Sequence, residues 1–181
     1  MRKIIFTFLL MLSVTAWGQE KSNVHFIVTK DSTNVGFATA DGKNYCVVSF
    51  PGKKANDLYT DVLLRTVRKF KSMPVAPQTI EGKAFILSGE TDAIRHASNG
   101  LSGTSTVYLK YNILFEFKDG RVRVHAPEAP SGTEIVLGTG SEYKARLSSI
   151  YEKDKDAIAK IEDFFNNLIN TVVFPSSDDN W

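Results

Sequence analysis

The stretch 107–125 constrains this chain more than any other. Val107, Leu109, Tyr111, Ile113, Phe115 and Phe117 alternate with Tyr108, Lys110, Asn112, Leu114, Glu116 and Lys118. Successive side chains of a strand point to opposite faces, so this period-two pattern demands a strand with one face in a core and the other largely in water. Asp119-Gly120 then supplies a residue pair that favours a two-residue hairpin turn. Past it, Val122 and Val124 return to the core face, and Arg121, Arg123 and His125 to the wet one. An antiparallel sheet that is apolar on one side only needs something to cover that side.

Two helical stripes can provide the cover. Leu58, Tyr59, Val62, Leu63, Val67 and Phe70 recur at helical spacing and predict a helix over 55–71, with Asn56, Asp57 and Asp61 near its start and Arg68, Lys69 and Lys71 near its end, as the helix dipole favours. Met73-Pro74-Val75-Ala76-Pro77 stops it. Leu147, Ile150 and Tyr151, followed by Ala157, Ile158, Ile161, Phe164, Phe165, Leu168, Ile169 and Val172, predict a helical closing segment ended by Pro175. Further strands are expected at 44–50, stopped by Pro51-Gly52, and at 83–89, continuing after a break through 93–96. Residues 126–141, rich in Gly, Pro, Ser and Thr, read as a loop with at most one edge strand. The expected fold is α+β: a curved antiparallel sheet with two helices packed on one face. With 181 residues, 43% of them apolar and 11% aromatic, the chain is of a size served by one core.

The ends divide off by composition. Arg2 and Lys3, the uncharged and mostly apolar run 4–14, and Ala16-Trp17-Gly18 before Gln19 have the order of an export signal, with cleavage expected after Gly18. The apolar run is shorter than the roughly 20 residues of a spanning helix, so no transmembrane segment is expected in the mature chain. No cysteine follows the small residues, so the protein is expected to be periplasmic or secreted and not a lipoprotein. Residues 19–43 then read as an N-terminal arm or short hairpin, 44–173 as a single α+β domain and 174–181 as a polar tail.

The formal charge of +2 belongs to the signal, because without 1–18 the basic and acidic residues number 20 each. A neutral domain lacks the basic footprint of a nucleic-acid binder, and none is expected as a partner. Within it, residues 43–125 carry 13 basic and 7 acidic side chains, and 151–181 carry 3 and 7. Such an asymmetry marks either a basic binding face or two segments that screen each other.

No phosphate-binding loop, zinc-protease, paired-cysteine metal, nucleophile-elbow or EF-hand pattern can be written onto the chain, and no cofactor or metal is expected. Gly138-Thr139-Gly140 lacks the third glycine of a dinucleotide loop and reads as an entry to the closing helix. His25, His96 and His125 are scattered, whereas a zinc site needs three or four converging ligands. Cys46, the single cysteine, lies in an apolar strand-like run and reads as a packed thiol without a disulfide partner. Pairing with His125 as a nucleophile would need hydrogen-bond reach that spacing does not indicate.

The remaining constellation is the wet face of the hairpin. Tyr108, Lys110, Asn112, Arg121, Arg123 and His125 share one parity, so they can form a basic-aromatic patch able to hold an anion, a glycan or a peptide carboxylate. The competing reading is that these cations keep the sheet soluble and discourage edge pairing.

Several of these motifs together resemble a family. The strand 44–50, the Pro-Gly turn, Asn56-Asp57-Leu58-Tyr59 opening a helix, Tyr111, Ile113 and Phe115 running into Lys118-Asp119-Gly120-Arg121, and a closing helix are similar to an exported Bacteroidetes domain of unknown function with a TATA-binding-protein-like fold. The likeness covers about 44–172. Lys54 departs from it, standing where a helix-capping Ser or Thr is expected. The resemblance implies a curved antiparallel sheet with helices on its convex side and no catalytic residues, and likeness in fold to a DNA-binding protein does not transfer that function. The expected role is therefore an exported cell-envelope binding module for an unidentified protein, glycan or small molecule, without catalysis. The alternatives are a carrier holding a small hydrophobic molecule between the sheet and the C-terminal helix, as in helix-grip folds, and a hydrolase or transferase built on Cys46 or a histidine.

Overall fold

The computed structural model describes residues 23–32, 34–70, 78–98, 104–137 and 141–175. The export signal, the stop at 73–77, the Gly138-Thr139-Gly140 loop and the tail from 176 onward lie outside the described residues. The elements run β1 (Ile27–Lys30), β2 (Val35–Ala38), β3 (Tyr45–Ser49), α1 (Ala55–Lys69), β4 (Gln78–Ile80), β5 (Ala84–Glu90), β6 (Arg95–Ser98), β7 (Thr104–Lys118), β8 (Arg121–His125), β9 (Ser131–Leu137), β10 (Ser141–Arg146), α2 (Leu147–Lys153) and α3 (Lys155–Val173).

The alternating stretch is the spine. β7 is 15 residues long and pairs antiparallel with four strands: β5 and β6 along one edge, β8 and β9 along the other. β3, β4 and β10 extend the sheet outward from β8, β5 and β9, giving eight strands in a curled antiparallel sheet. Its covered face carries Phe85, Leu87, Leu109, Tyr111, Ile113, Phe115, Val122 and Val124, all buried. Against them α1 sets Leu58, Tyr59 and Val62, and α3 sets Ile161, Phe165 and Ile169. Rings lock the layers: Tyr59 meets Phe117 edge-on at 5.6 Å, and Phe165 meets Tyr111 at 5.2 Å and Phe37 at 5.0 Å.

Three expectations are corrected. Residues 126–141 are not a loop with one edge strand: β9 pairs with β7 from Leu109↔Gly132 to Thr104↔Leu137, and β10 follows it into 146. Pairing with the amino-terminal half of a long strand overrides a composition that reads as loop. The closing segment is two helices, because Asp154 leaves helical geometry and its Oδ1 accepts the Ala157 N–H at 2.9 Å, capping α3; three helices therefore replace the expected two. On α1 the buried stripe runs through Thr66, whose hydroxyl donates to the Val62 carbonyl, while Val67 is 53% exposed.

Lys54 makes no side-chain cap on α1. The hairpin turn does so from across the chain: Asp119 Oδ1 accepts the Ala55 N–H at 2.9 Å, and its other oxygen meets Lys54 Nζ at 3.3 Å. Gly120, with φ +74°, completes the dock by donating to the Lys53 carbonyl and accepting from Phe50 N–H. The Ala55 N–H and Lys54 hold the Asp119 carboxyl below its ordinary 3.8. A depressed carboxyl stabilises fully above its unfolded value and loses that contribution as pH falls through the folded one. Asp119→Asn should therefore lower the melting temperature at neutral pH, and the difference should shrink as pH falls through and below the carboxylate range, as followed by circular dichroism.

The arm 23–38 neither joins the main sheet nor hangs free. β1 and β2 form their own antiparallel pair, and the extended residues before and within β1 lie along α3. Asn170 accepts from Val24 N–H at 2.9 Å and donates to Val24 O at 2.8 Å; Asn166 does the same for Phe26 at 2.8 and 2.9 Å; Glu162 accepts from Val28 N–H at 2.6 Å. Four residues of helix rise about 6.0 Å and two of strand about 6.6 Å, so side chains spaced by four can meet alternate backbone groups of an extended chain. The helix thereby takes the place of a neighbouring strand. Arg65 closes the other end of α3, donating to the carbonyls of Val172 and Val173 at 2.8 and 3.0 Å.

Candidate functional site on the open sheet face

With α1 and α3 on one side, the other side of the β3–β8–β7–β5 region is left open. Cross-strand register sets its rows: Tyr45, Val47 and Ser49 on β3 face His125, Arg123 and Arg121 on β8. Arg123 and Arg121 in turn face Glu116 and Lys118 on β7. Ile86 and Ser88 on β5 face Leu114 and Asn112.

Glu116 organises the centre of this face. Its Oε2 lies 2.7 Å from His125 Nε2 and 3.2 Å from an Arg123 guanidinium nitrogen. The hydrogen bond to His125, and after it the charges of His125 and Arg123, hold the Glu116 carboxyl below the usual glutamate range. Arg123 also lies over the Tyr45 ring, 5.0 Å from its centroid. Beside this cluster a small cleft of about 90 Å³ is lined by Val47, Glu116, Lys118, Arg121 and Arg123. A second hollow of about 230 Å³ is bounded by Ile86, Ser88, Asn112, Leu114, His125 and Glu128, so the Glu116–His125 pair joins the walls of the two.

The six patch residues read from parity do share the open side, but distance divides them. Arg121, Arg123 and His125 sit together. Asn112 lies farther along β7, where its side-chain oxygen accepts from Ser88 Oγ at 2.6 Å and its backbone exchanges two hydrogen bonds with Glu128. Lys110 faces Glu90, and Tyr108 faces Thr133 on β9. Tyr108 is six residues from Leu114, the position level with His125, or roughly 20 Å along a strand, so it belongs to a different stretch of surface. Glu116, Lys118 and Val47 complete the cluster instead. The same alternation signalled Glu116 and Lys118; only the placement of β3 against β8 brings Val47 there.

The other candidate chemistries fall elsewhere. Cys46 is in register with Val124 and packs on the covered side, whereas His125 is on the open side, so the two cannot act as a nucleophile and base. Burial, with Asp41 adding to it, pushes the Cys46 thiol up, away from a reactive thiolate. His25 is exposed on the arm, and the side chain of His96 lies outside the described residues. The space directly between the sheet and α3 is filled by Ile161, Phe165 and Ile169. A hollow of about 650 Å³ opens farther along, where Glu90, Asp92, Lys160 and Asp163 join Phe70 and Phe164 in its wall. Among the described residues no three potential ligands converge on a metal position, and no helix is long and apolar enough to cross a membrane.

The architecture is that of TATA-binding-protein-like α+β domains. A TBP-like protein from Parabacteroides distasonis superposes with a TM-score of 0.52 at 8% identity, over 73% of this chain and 92% of that one. A DUF4468 family protein from Bacteroides ovatus superposes with a TM-score of 0.50 at 12% identity, over 83% and 92%. At such identities the likeness is one of fold, and it agrees with the resemblance carried by the sequence motifs. No family model and no curated protein matches the sequence.

Proposed function

We propose that this protein is an exported binding module of the cell envelope that holds a partner on the open face of its sheet and performs no catalysis itself. The observation that carries this reading is the cluster around Val47. A 45% exposed valine there is flanked by Arg121 and Arg123, whose charges are offset by the single carboxylate of Glu116. Cations kept only for solubility have no need of an exposed apolar floor between them. Export is supported by the order of charges, apolar run and small residues in 1–18. The arm's first anchored residue, Val24, lies beyond Gly18, so cleavage there leaves its bonds to Asn170 intact.

The test begins with protein recovered from the envelope and medium of a Bacteroidetes host, whose amino terminus should be Gln19. Protein confined to the cytosol with Met1 retained overturns export. The isotope-labelled mature domain is then titrated with two anionic probes, a pentaglutamate peptide and a sulfated oligosaccharide. Amide shifts should concentrate on β3, β8 and the carboxy-terminal half of β7, and weaken as salt rises. Arg121→Ser combined with Arg123→Ser should reduce affinity at least tenfold with an unchanged circular dichroism spectrum. Shifts confined to the helical face, or binding that survives the double change, reject the open-face reading.

A further inference from the structure

Among the described residues the edge of the sheet beside this cluster is unpaired, and its hydrogen-bond phase is fixed by two contacts. Phe50 N–H donates to Gly120 O at 2.7 Å and Ala126 N–H to Asn44 O at 2.9 Å. Alternate residues of an antiparallel strand turn their backbone groups to the same neighbour, so Asn44, Cys46, Val48 and Phe50 face β8. Tyr45, Val47 and Ser49 therefore turn N–H and C=O outward; among the described residues no backbone group of another segment meets them, the Val47 N–H having only the thiol of the adjacent Cys46, and β8 is the only strand paired with β3. The same three residues point their side chains to the open face, since Val48 between them is buried in the core. An unpaired edge and the Val47 cleft thus belong to one strip of surface.

Its charge and size narrow what fits. A strand added to β3 would lie about 4.8 Å beyond it, with side chains over the same face. Arg123 leans toward that position across the Tyr45 ring, and Arg121 and Lys118 stand behind Ser49. Of the three cations, one already shares Glu116 with His125, which leaves an excess of positive charge beside the edge. A cleft of about 90 Å³ is far below the roughly 300–1,000 Å³ that encloses a small-molecule ligand, and it suits a single side chain.

We propose that β3 is a docking edge for an extended peptide segment with acidic side chains at alternate positions, added as a further strand whose backbone pairs with Tyr45, Val47 and Ser49 while its carboxylates meet Arg121 and Arg123. This rests on the open-face reading and specifies the partner and its mode of attachment.

The probe is a capped hexapeptide alternating valine and glutamate, added to the labelled mature domain. Exchange of the Tyr45, Val47 and Ser49 amides should slow at least tenfold, and the valine–lysine counterpart should have no effect. Val47→Pro removes the central outward donor without touching the β8 ladder, a position where an edge strand tolerates proline, and should weaken binding at least tenfold. The same peptide N-methylated on its β3-facing amides should fail likewise against the unaltered protein, so the result does not depend on folding of the variant. Shifts at Arg121 and Arg123 without protection of the three amides overturn strand addition and leave open-face binding standing. Absence of any binding by this peptide, with the pentaglutamate and oligosaccharide also silent, overturns both. Amides already protected without peptide, in a species that sediments as a dimer, show that the edge is taken by a second copy and overturn the peptide assignment.

Discussion

Gly132→Ala should cost about 3 kcal/mol or more of stability and is the most damaging single-methyl change expected in this domain. A Cβ built at Gly132 overlaps the carbonyl oxygen of Tyr108 and comes within 2.6 Å of Leu109 Cα, both backbone atoms of the strand it pairs with. No rotamer change relieves such a contact. β9 has to move away from β7, which loosens the pairing that runs from Leu109↔Gly132 to Thr104↔Leu137 and with it β10, which among the described residues pairs with no strand but β9. Gly36→Ala is the control, since a Cβ there meets nothing within 4 Å and φ is not positive; it should stay within about 0.5 kcal/mol of the parent. Urea midpoints of the two variants decide the matter. Equal midpoints would mean that β7 and β9 are not in close register.

Removing the side chains that hold the arm should have an effect of similar size. In the double variant Asn166→Ala with Asn170→Ala, the N–H and C=O groups of Val24 and Phe26 lose their partners, while the two side chains remain completely buried. An unsatisfied buried backbone group costs about 1–3 kcal/mol. Several at once make it cheaper for the arm to leave α3 and hydrate, giving up the burial of Phe26, so the net loss should settle near 3–5 kcal/mol. Hydrogen exchange locates it. The Val24 and Phe26 amides should lose protection in the double variant while those of β7 keep theirs relative to global stability. Retained protection at 24 and 26 would show that the arm is held by packing alone. Asn166→Asp is an informative intermediate, because it keeps an acceptor for Phe26 N–H and deletes the donor to Phe26 O.

What could be read from the sequence was what is encoded within about fifteen residues. The alternation of 107–117, the Asp119-Gly120 turn and the stripes of α1 and α3 are local periodicities, and each element appears where its period places it, although the last buried position of α1 is Thr66 rather than Val67. The sequence marks β9 only as one edge strand within a loop and leaves β10 unmarked, because their strand character comes from pairing with β7 and then with each other, and Gly132 in particular reads as a turn residue until the close approach that requires it is seen. Asp154 was a visible cap signal submerged in an apolar run. Glu162, Asn166 and Asn170, spaced by four, look like the solvent side of a helix, and nothing in their spacing says that a segment some 140 residues away occupies that side. At the candidate site, parity grouped Tyr108 and Lys110 with Arg121, Arg123 and His125. Parity names a face but contains no distance, which is why Tyr108 and Lys110 fall outside the cluster and Val47, from a different strand paired with β8, falls inside it.

The seating of the arm on α3 also imposes an order in time. Val24 is separated by 146 residues from the Asn170 that satisfies its backbone, and Phe26 by 140 from Asn166. On a chain made from its amino terminus, the arm emerges well before the helix that satisfies its backbone. The sheet can form around β7 beforehand, since its hairpins are local, but the arm has no seat until α3 exists. Burial of Val24 and Phe26 thus becomes a late step, taken only by a chain in which α3 is present and folded.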